Sequence, residues 1–241
     1  GMDLAGYVAL TRQSGLLKEL QTVANNIANV STTGFRREGV VFAEMVEALP
    51  AEGGSVAMTA ARARYTDDLQ GALVQTGGTL DMAIEGEGFF TVLTPQGERL
   101  TRAGAFSRNA DGEVVDASGH QLLDESGGAI AIPFEARAVS IAADGTLSVD
   151  GAPAARVGIV AVEDQTRLFR EGGVLFRAEG GTIPLEDGRV VQGFLEQSNV
   201  NPVAEMARMI MVQRAYEYGQ KLMDQEDARI RLVVRTLGPT A

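Results

Sequence analysis

Residues 23–35 have the sequence VANNIANVSTTGF. The apolar positions of this stretch continue a stripe that begins earlier in the chain and consists of Leu16, Leu20, Val23, Ile27 and Val30. Alternating steps of four and three residues place the stripe on one face of an α-helix. The polar residues that follow favour turns, because Ser and Thr side chains compete for backbone hydrogen bonds and Gly34 permits positive φ. We therefore predict a helix that has Asp3 as its N-cap, ends near Asn29 and leads into an exit turn.

A second helix is predicted at the other end of the chain. Asn201 is suited to cap its first turn, and Pro202 can occupy the first helical position, where a missing N–H costs nothing. Gly238-Pro239 ends the helix, so residues 202–237 would extend about 54 Å if they were helical throughout. Apolar residues recur there every seven positions, at Met209, Tyr216, Met223, Ile230 and Leu237.

A seven-residue period is typical of a packed seam between helices. A helix this long cannot lie along a small β domain over its whole length, so we expect it to pack against another helix. The natural partner is the N-terminal stripe, either of the same chain or of a neighbouring one. Alternatively, the helix packs on its own domain, as amphipathic helices commonly do. The ten residues of the two stripes are our candidate assembly interface.

The middle of the chain predicts β-structure. Of the 29 glycines, 22 lie between Gly53 and Gly193, and five turn pairs separate short apolar runs: Asp111-Gly112, Ser118-Gly119, Asp144-Gly145, Asp150-Gly151 and Asp187-Gly188. Residues 139–142 and 146–149 alternate in period two around the third pair and predict a hairpin. Residues 89–93 and 155–162 each predict one strand. This spacing favours an irregular sandwich or a barrel-like body.

The predicted fold class is mainly β with long terminal α-helices. We expect four segments: residues 3–33 as the N-terminal helix and exit turn, residues 34–79 as a connector with partial β character, residues 80–197 as an irregular β-rich central body, and residues 198–241 as the segment of the long C-terminal helix. The terminal helices are expected to pair as a coiled-coil-like stalk.

Composition excludes several classes of function. With 32 acidic and 21 basic residues, the net charge of −11 argues against binding to nucleic acid or to an anionic membrane surface. The absence of cysteine and the single histidine exclude thiolate metal sites, Cys nucleophiles and His-rich clusters. There is no apolar run of about 18 residues, and the N-terminal residues lack the pattern of a cleaved secretory signal, so we expect no membrane insertion and no export by that route.

Known catalytic motifs are also missing. Gly86-Glu87-Gly88 lacks the third glycine of a dinucleotide fingerprint, and His120 is predicted to be a solvated turn residue. A hydrolase with paired carboxylates stays open as an alternative, although glycan clefts usually carry aromatic platforms and this chain has no Trp. We expect no enzyme activity, no cofactor, no metal and no small-molecule substrate.

Motifs along nearly the whole chain, in the right order, resemble those of bacterial flagellar rod and hook proteins. They are NNIANVSTTGF at residues 25–35, TGGTLDMAIEGEGFF at 76–90, LTRAGAF at 100–106, SNVN at 198–201 and QRAYE at 213–217. The length and the ending DARIRLVVRTLG at 227–238 resemble proximal-rod members most, with distal-rod or hook-type members as the alternative. Ser31 departs from the family, which often has Asn there.

The resemblance implies a structural subunit of the periplasm-spanning rod, needed for motility. Its partners would be other rod proteins, further copies of itself and the flagellar type III export apparatus, which exports subunits without a cleaved signal peptide. In that family the terminal helices form an inner tube and the β-rich body an outer layer. We expect the amides and hydroxyls of the exit turn to satisfy backbone groups between these parts. A hypothesis of another class is a secreted β-rich module that binds glycans or cell-wall polymers.

Overall fold

The computed structural model describes residues 2–47 and 57–238. It has one α-helix near each end, α1 (Met2–Ala28) and α2 (Pro202–Thr236). Between them lie a short 3-10 helix (Gln165–Arg167) and the strands β1 (Glu38–Glu47), β2 (Ala57–Thr66), β3 (Leu73–Gln75), β4 (Met82–Glu85), β5 (Phe89–Thr94), β6 (Gly97–Thr101), β7 (Ser107–Arg108), β8 (Val114–Val115), β9 (Gln121–Leu122), β10 (Val139–Ile141), β11 (Thr146–Val149), β12 (Ala152–Arg156), β13 (Ile159–Val162), β14 (Leu168–Glu171), β15 (Leu175–Ala178), β16 (Thr182–Pro184), β17 (Arg189–Gln192) and β18 (Phe194–Glu196). Two terminal helices and a β-rich centre are therefore confirmed.

These elements form two compact units. The helical unit contains α1, β1, β2 and α2. The β-body contains residues Asn29–Arg37 and Asp68–Val200. Residues 48–56 of the expected connector, including Gly53-Gly54, and Pro239 of the expected helix stop lie outside the described residues.

The inward face of α1 is the predicted stripe. Leu16 and Val23 are buried, and Leu20 and Ile27 are half-buried. Val30 lies beyond the helix, which ends at Ala28. The helix begins at Met2, so the prediction of Asp3 as the N-cap is wrong.

The first residues of α2 and the environment of its heptad positions agree with the sequence-based prediction, except at Leu237. The Asn201 side chain accepts hydrogen bonds from the backbone N–H groups of Val203 and Ala204, both at 3.1 Å, and Pro202 is the first helical residue. Met209, Tyr216, Met223 and Ile230 are all half-buried, whereas Leu237 is 78% exposed at the C-cap. Four of the five heptad positions therefore lie on one partly covered face.

That face packs against α1 of the same chain. Asn26, near the end of α1, donates to Glu205 near the start of α2, at 3.3 Å. Gln13, half-way along α1, donates to the backbone oxygen of Tyr216, farther along α2, at 2.8 Å. The two helices are therefore antiparallel.

The described part of the connector contains β1 and β2, which pair as an antiparallel ribbon. Their register runs from Glu38 opposite Thr66 to Glu47 opposite Ala57. The partial β character expected of this segment is thus an ordered hairpin in its described residues. Both strands also contact α1 within the helical unit.

The largest sheet of the β-body has the strand order β14-β15-β6-β5-β9-β8-β7, and β13 joins it by pairing with both β5 and β16. Smaller sheets pair β10-β11-β12, β17-β4 and β18-β3. All of these pairings are antiparallel, as short connections through tight turns require.

The predicted hairpin is confirmed, because β10 and β11 pair around Asp144-Gly145 and Gly145 has a φ of +92°. The prediction of one strand over residues 155–162 is wrong. The chain breaks there into β12 and β13, because Val157 turns aside to pair with Asp124. The N–H of the next residue, Gly158, donates to the oxygen of Leu123 at 3.3 Å.

The main core of the β-body is built from strand residues that alternate inward. Met82, Phe90, Val92, Leu122 and Leu147 are fully inaccessible to solvent. The rings of Phe90 and Phe106 meet edge to face at 5.4 Å, a favoured aromatic arrangement. A second cluster forms around Leu100, Val162 and Phe176. Among the helices of the described residues, none is both long and apolar enough to cross a membrane.

Candidate functional site

The ten residues predicted as an assembly interface lie in different environments. Those in α1, together with Met209, Tyr216, Met223 and Ile230, lie on the partly or fully covered faces of the two packed helices. Val30 is half-buried in the β-body segment that follows α1, and Leu237 is exposed. Their role in assembly stays a prediction, because much of this surface is used within the chain.

Both helices also carry large apolar side chains that face solvent. On α1 these include Leu4, Tyr7, Val8, Leu10 and Leu17. On α2 they include Met206, Ile210, Met211, Tyr218, Leu232 and Val234. Clustered exposed apolar groups are typical of interaction surfaces. Apart from Met206, which flanks the seven-residue seam, these residues lie outside the predicted stripes because each stripe follows a single face of its helix.

Asn26, in the N-terminal motif, is fully buried within the helical unit. Its side-chain oxygen accepts from the backbone N–H of Glu38 at 3.0 Å, and its Nδ2 donates to the backbone oxygen of the same residue at 2.8 Å. The Asn26 amide therefore bonds both backbone groups of Glu38, as a neighbouring strand would do at the start of β1. Asn26 thus satisfies backbone groups, but it does so from α1 and within the helical unit, not from the exit turn between the two parts.

The exit turn belongs to the β-body. The N–H of Thr32 donates to the oxygen of Asn29 at 3.1 Å, and the Thr32 hydroxyl donates to the Asn29 side-chain oxygen at 3.0 Å. Gly34 has a φ of +72°, and its N–H donates to the backbone oxygen of Glu196 at 2.8 Å. A Cβ on Gly34 would lie 2.4 Å from the backbone nitrogen of Ala103, so no other residue fits.

A buried ion cluster holds the residues after this turn. The Glu196 carboxylate lies 3.1 Å from Arg36 Nη2 and accepts from Arg102 Nε at 2.7 Å. The three side chains are between 1% and 6% exposed. Arg102 also donates to the backbone oxygens of Gly86 and Gly88, both at 2.8 Å. Its charge is thus fully hydrogen-bonded, as a buried guanidinium requires.

Two further contacts secure the same segment. The guanidinium of Arg170 stacks on the rings of Phe35 and Phe176, with its central carbon 4.7 and 4.9 Å from their centroids. Such cation–π contacts are attractive, most of all where water is excluded. Asn199, from the C-terminal motif, accepts from the N–H of Arg37 at 2.5 Å and donates to the oxygen of Leu69 at 2.9 Å. Both terminal motifs therefore position residues 35–37.

The surface of the β-body has an acidic concavity of about 550 Å³. Its Asp144 caps the β10–β11 turn, and the backbone N–H of Thr146 holds the pKa of that carboxyl below its ordinary value. A general acid needs the opposite shift. His120 Nδ1 lies 3.1 Å from Oδ2 of Asp116 in a turn, with its side chain 22% exposed. Over residues 2–47 and 57–238, no group of three or more acidic or histidine side chains is placed to hold a metal ion.

Three family models match successive parts of the chain. Residues 7–36 match the model described as flagella basal body rod protein, residues 83–149 match the flagellar hook protein FlgE/F/G D1 domain, and residues 191–234 match the flagellar basal body rod FlgEFG protein C-terminal region. The first match contains most of α1 and the exit turn, and the last contains most of α2.

Several flagellar basal-body rod proteins are similar to this chain over nearly their whole lengths. The flagellar basal-body rod protein FlgF of Caulobacter vibrioides is 40% identical, with 98% of this chain and 99% of that protein aligned. The FlgF protein of Mesorhizobium japonicum is 37% identical, with 96% and 97% aligned. The flagellar basal-body rod protein FlgG of Bacillus subtilis is 30% identical, with 95% and 98% aligned.

The fit of Gly34 gives a first prediction. Gly34→Ala should destabilise the β-body by about 3 kcal/mol or more, because a steric clash with the Ala103 backbone adds to the cost of positive φ. Gly77→Ala is the matched control, since Gly77 also has a φ of +72° but no atom of a described residue, its chain neighbours aside, lies within 4 Å of the position that a Cβ would take. It should cost only about 1–2 kcal/mol. Amide hydrogen exchange in β5 and β6 measures both losses, and equal losses would contradict the tight fit.

The ion cluster gives a second prediction. Arg102→Met should cost about 3–5 kcal/mol, because it leaves the buried Glu196 carboxylate with one partner fewer. Arg189→Met is the control: its side chain is 66% exposed and its ion pair is loose at 3.9 Å, so removal should cost less than about 1 kcal/mol. The free energy of unfolding from amide exchange of the same strands would distinguish them. Similar losses for the two variants would show that the Arg102–Glu196 pair contributes little to the free energy of unfolding.

Proposed function

We propose that this chain, which belongs to the flagellar basal-body rod protein family, is a subunit of the proximal part of the rod. The family consists of structural proteins and not of enzymes, and the chain is a structural subunit of the flagellar basal-body rod. It assembles with other axial proteins of the flagellum. A catalytic site is accordingly not part of the function.

The proximal position is supported by two observations. Three relatives named FlgF are 34–40% identical, whereas five named FlgG are 30–31% identical. The length of the chain and its last helical turns also resemble proximal-rod members. A distal-rod or hook-type subunit is the alternative within the family.

Assembly through the terminal helices is the proposed mode of action. In this arrangement α1 and α2 pair as a coiled-coil-like stalk, and stalks of neighbouring subunits form the inner layer of the rod. The observation that carries the proposal is the set of apolar side chains that stay exposed after α1 and α2 have packed, among them Leu10, Met211 and Tyr218. A helix pair that functioned alone in water would gain nothing from them. The covered stripe residues then hold the pair together, and Leu237 extends the surface.

Export through the flagellar type III apparatus, without a cleaved signal peptide, and a final place in the periplasm-spanning rod are further parts of the proposal. They are supported by the family resemblance. The glycan-binding module is not favoured, because the family models match the helices as well as the β-body.

Helix pairing can be tested in a flagellated bacterium whose own gene for this protein has been deleted and replaced by a variant. Val212 is 5% exposed on the covered face of α2. Val212→Asp should abolish swimming and remove the chain from purified basal bodies, because an unpaired charge cannot be buried against α1. Gln225→Asp, on an exposed face of the same helix, should leave both unchanged.

A normal yield of basal bodies containing the Val212→Asp chain would refute assembly through paired helices. Full swimming without any copy of the gene would refute a structural role in the rod. The Val212→Asp protein should keep the amide protection of the β-body, which separates loss of assembly from general unfolding.

A further inference from the structure

A buried amide at the contact between α1 and α2 lacks one of its hydrogen bonds. Gln13 is 7% exposed, and its Nε2 donates to the backbone oxygen of Tyr216 at 2.8 Å and lies 3.3 Å from Oε1 of Gln220. Its own Oε1 has no hydrogen-bond partner in the described parts of the chain. A buried acceptor without a donor is unfavourable. The amide is therefore held by the packing of α1 on α2 and not by a full set of hydrogen bonds.

The position of this oxygen depends on Gly219. A Cβ on Gly219 would lie 2.1 Å from Gln13 Oε1, so a side chain at this point of α2 would displace the amide. Gln13 and Gly219 both line a groove of about 960 Å³ between the first half of α1 and the second half of α2. The close contact of Gln13 with Gly219 thus forms part of the wall of this open groove.

The rest of the groove is apolar with an acidic border. Its walls include Leu4, Val8, Leu222 and Met223. Three carboxylates of α2 border it, Asp224, Glu226 and Asp227, against a single base, Arg12 on α1. Glu226 pairs with Arg229 at 2.8 Å and Asp227 with Arg231 at 2.9 Å. Asp224 forms no ion pair with any described residue.

The last turns of α2 have the complementary character. Val233, Val234 and Leu237 are 48%, 64% and 78% exposed, and with Ile230 they have the i, i+3, i+4, i+7 spacing of a helix that docks in an apolar groove. Arg235 lies beside this stripe and forms no ion pair within residues 2–47 and 57–238. The eight residues from Ile230 to Leu237 extend about 12 Å as a helix. The groove wall from Leu4 to Gln13 extends about 15 Å and is long enough to hold them.

We propose that the last turns of α2 of one copy dock in the groove of a second copy. Arg235 then pairs with Asp224 of the second copy, and the apolar stripe lies against the apolar groove wall. Ile230 lies at the end of the groove, but Val233, Val234 and Leu237 lie outside it. The groove and the docked turns are thus largely different surfaces, so the contact is head to tail and can repeat along an axis instead of closing as a symmetric dimer. This inference rests on the proposed function in the rod and specifies one contact of it.

Cysteine crosslinking in cells tests the contact, because the natural sequence contains no cysteine. The full-length chain carrying Asp224→Cys and Arg235→Cys replaces the natural protein, and basal bodies are treated with a short bifunctional maleimide. We expect a ladder at multiples of the chain mass, at least about tenfold stronger than with either single variant. The control pair, Gln225→Cys with Arg235→Cys, should give no ladder because Gln225 is exposed outside the groove.

Charge reversal supplies a second readout. Asp224→Arg places two bases together and should lower the amount of chain in basal bodies about tenfold, since like charges across a contact are strongly unfavourable. Arg235→Asp should do the same, and the double variant should restore incorporation. Failure of the double variant to restore it would overturn the pairing of these residues.

The results of these experiments distinguish a failure of the docking contact from a failure of the proposed function in the rod. If the cysteine variant swims and is present in basal bodies but gives no ladder, the docking contact is wrong and the rod function stands. If the crosslinked product contains a different protein, the assignment to a second copy is wrong. If swimming cells have basal bodies without this chain, the rod function itself is wrong.

Discussion

The β-body depends on one buried carboxylate. Glu196 lies between the guanidinium groups of Arg36 and Arg102, and its Oε1 also accepts from the N–H of Gly71 at 3.0 Å. Three segments that are far apart in sequence are thereby bound to one negative charge. Taking these charges out of water is costly, and only a complete set of partners offsets the cost. The arrangement therefore tolerates little variation in the position of any segment.

This constraint explains why the exit turn belongs to the β-body and not to α1. Arg36 can reach Glu196 only if the chain reverses at Gly34, whose N–H donates to the backbone oxygen of the same glutamate. Phe35 is then 1% exposed beneath Arg170. Buried polar clusters of this kind favour one conformation over alternatives more than they add net stability. Here they specify where the N-terminal helix ends.

Local patterns in the sequence were sufficient to predict the two terminal helices and the hairpin turn. The Asn201-Pro202 start of α2 and the hairpin around Asp144-Gly145 depend on neighbouring residues, so a single sequence reveals them. The ion cluster could not be predicted, because Arg102 and Glu196 are 94 residues apart and neither belongs to a local pattern of charge. The break at Val157 was missed for the same reason, since it is caused by pairing with the distant Asp124. The candidate interface was predicted only as a stripe, and its exposed residues depend on which faces the chain itself covers.

Polar groups within the helix contact define how α1 and α2 pair. An apolar stripe alone permits several registers, because a shift of one heptad preserves the packing. Gln13 over Gly219 and Asn26 beside Glu205 are polar contacts that a shift would break and leave buried. Such contacts cost stability relative to an apolar core but exclude the alternatives. A subunit that must present the same outer faces in every copy requires one register, and a fixed register determines which apolar residues of the pair stay available for a neighbour.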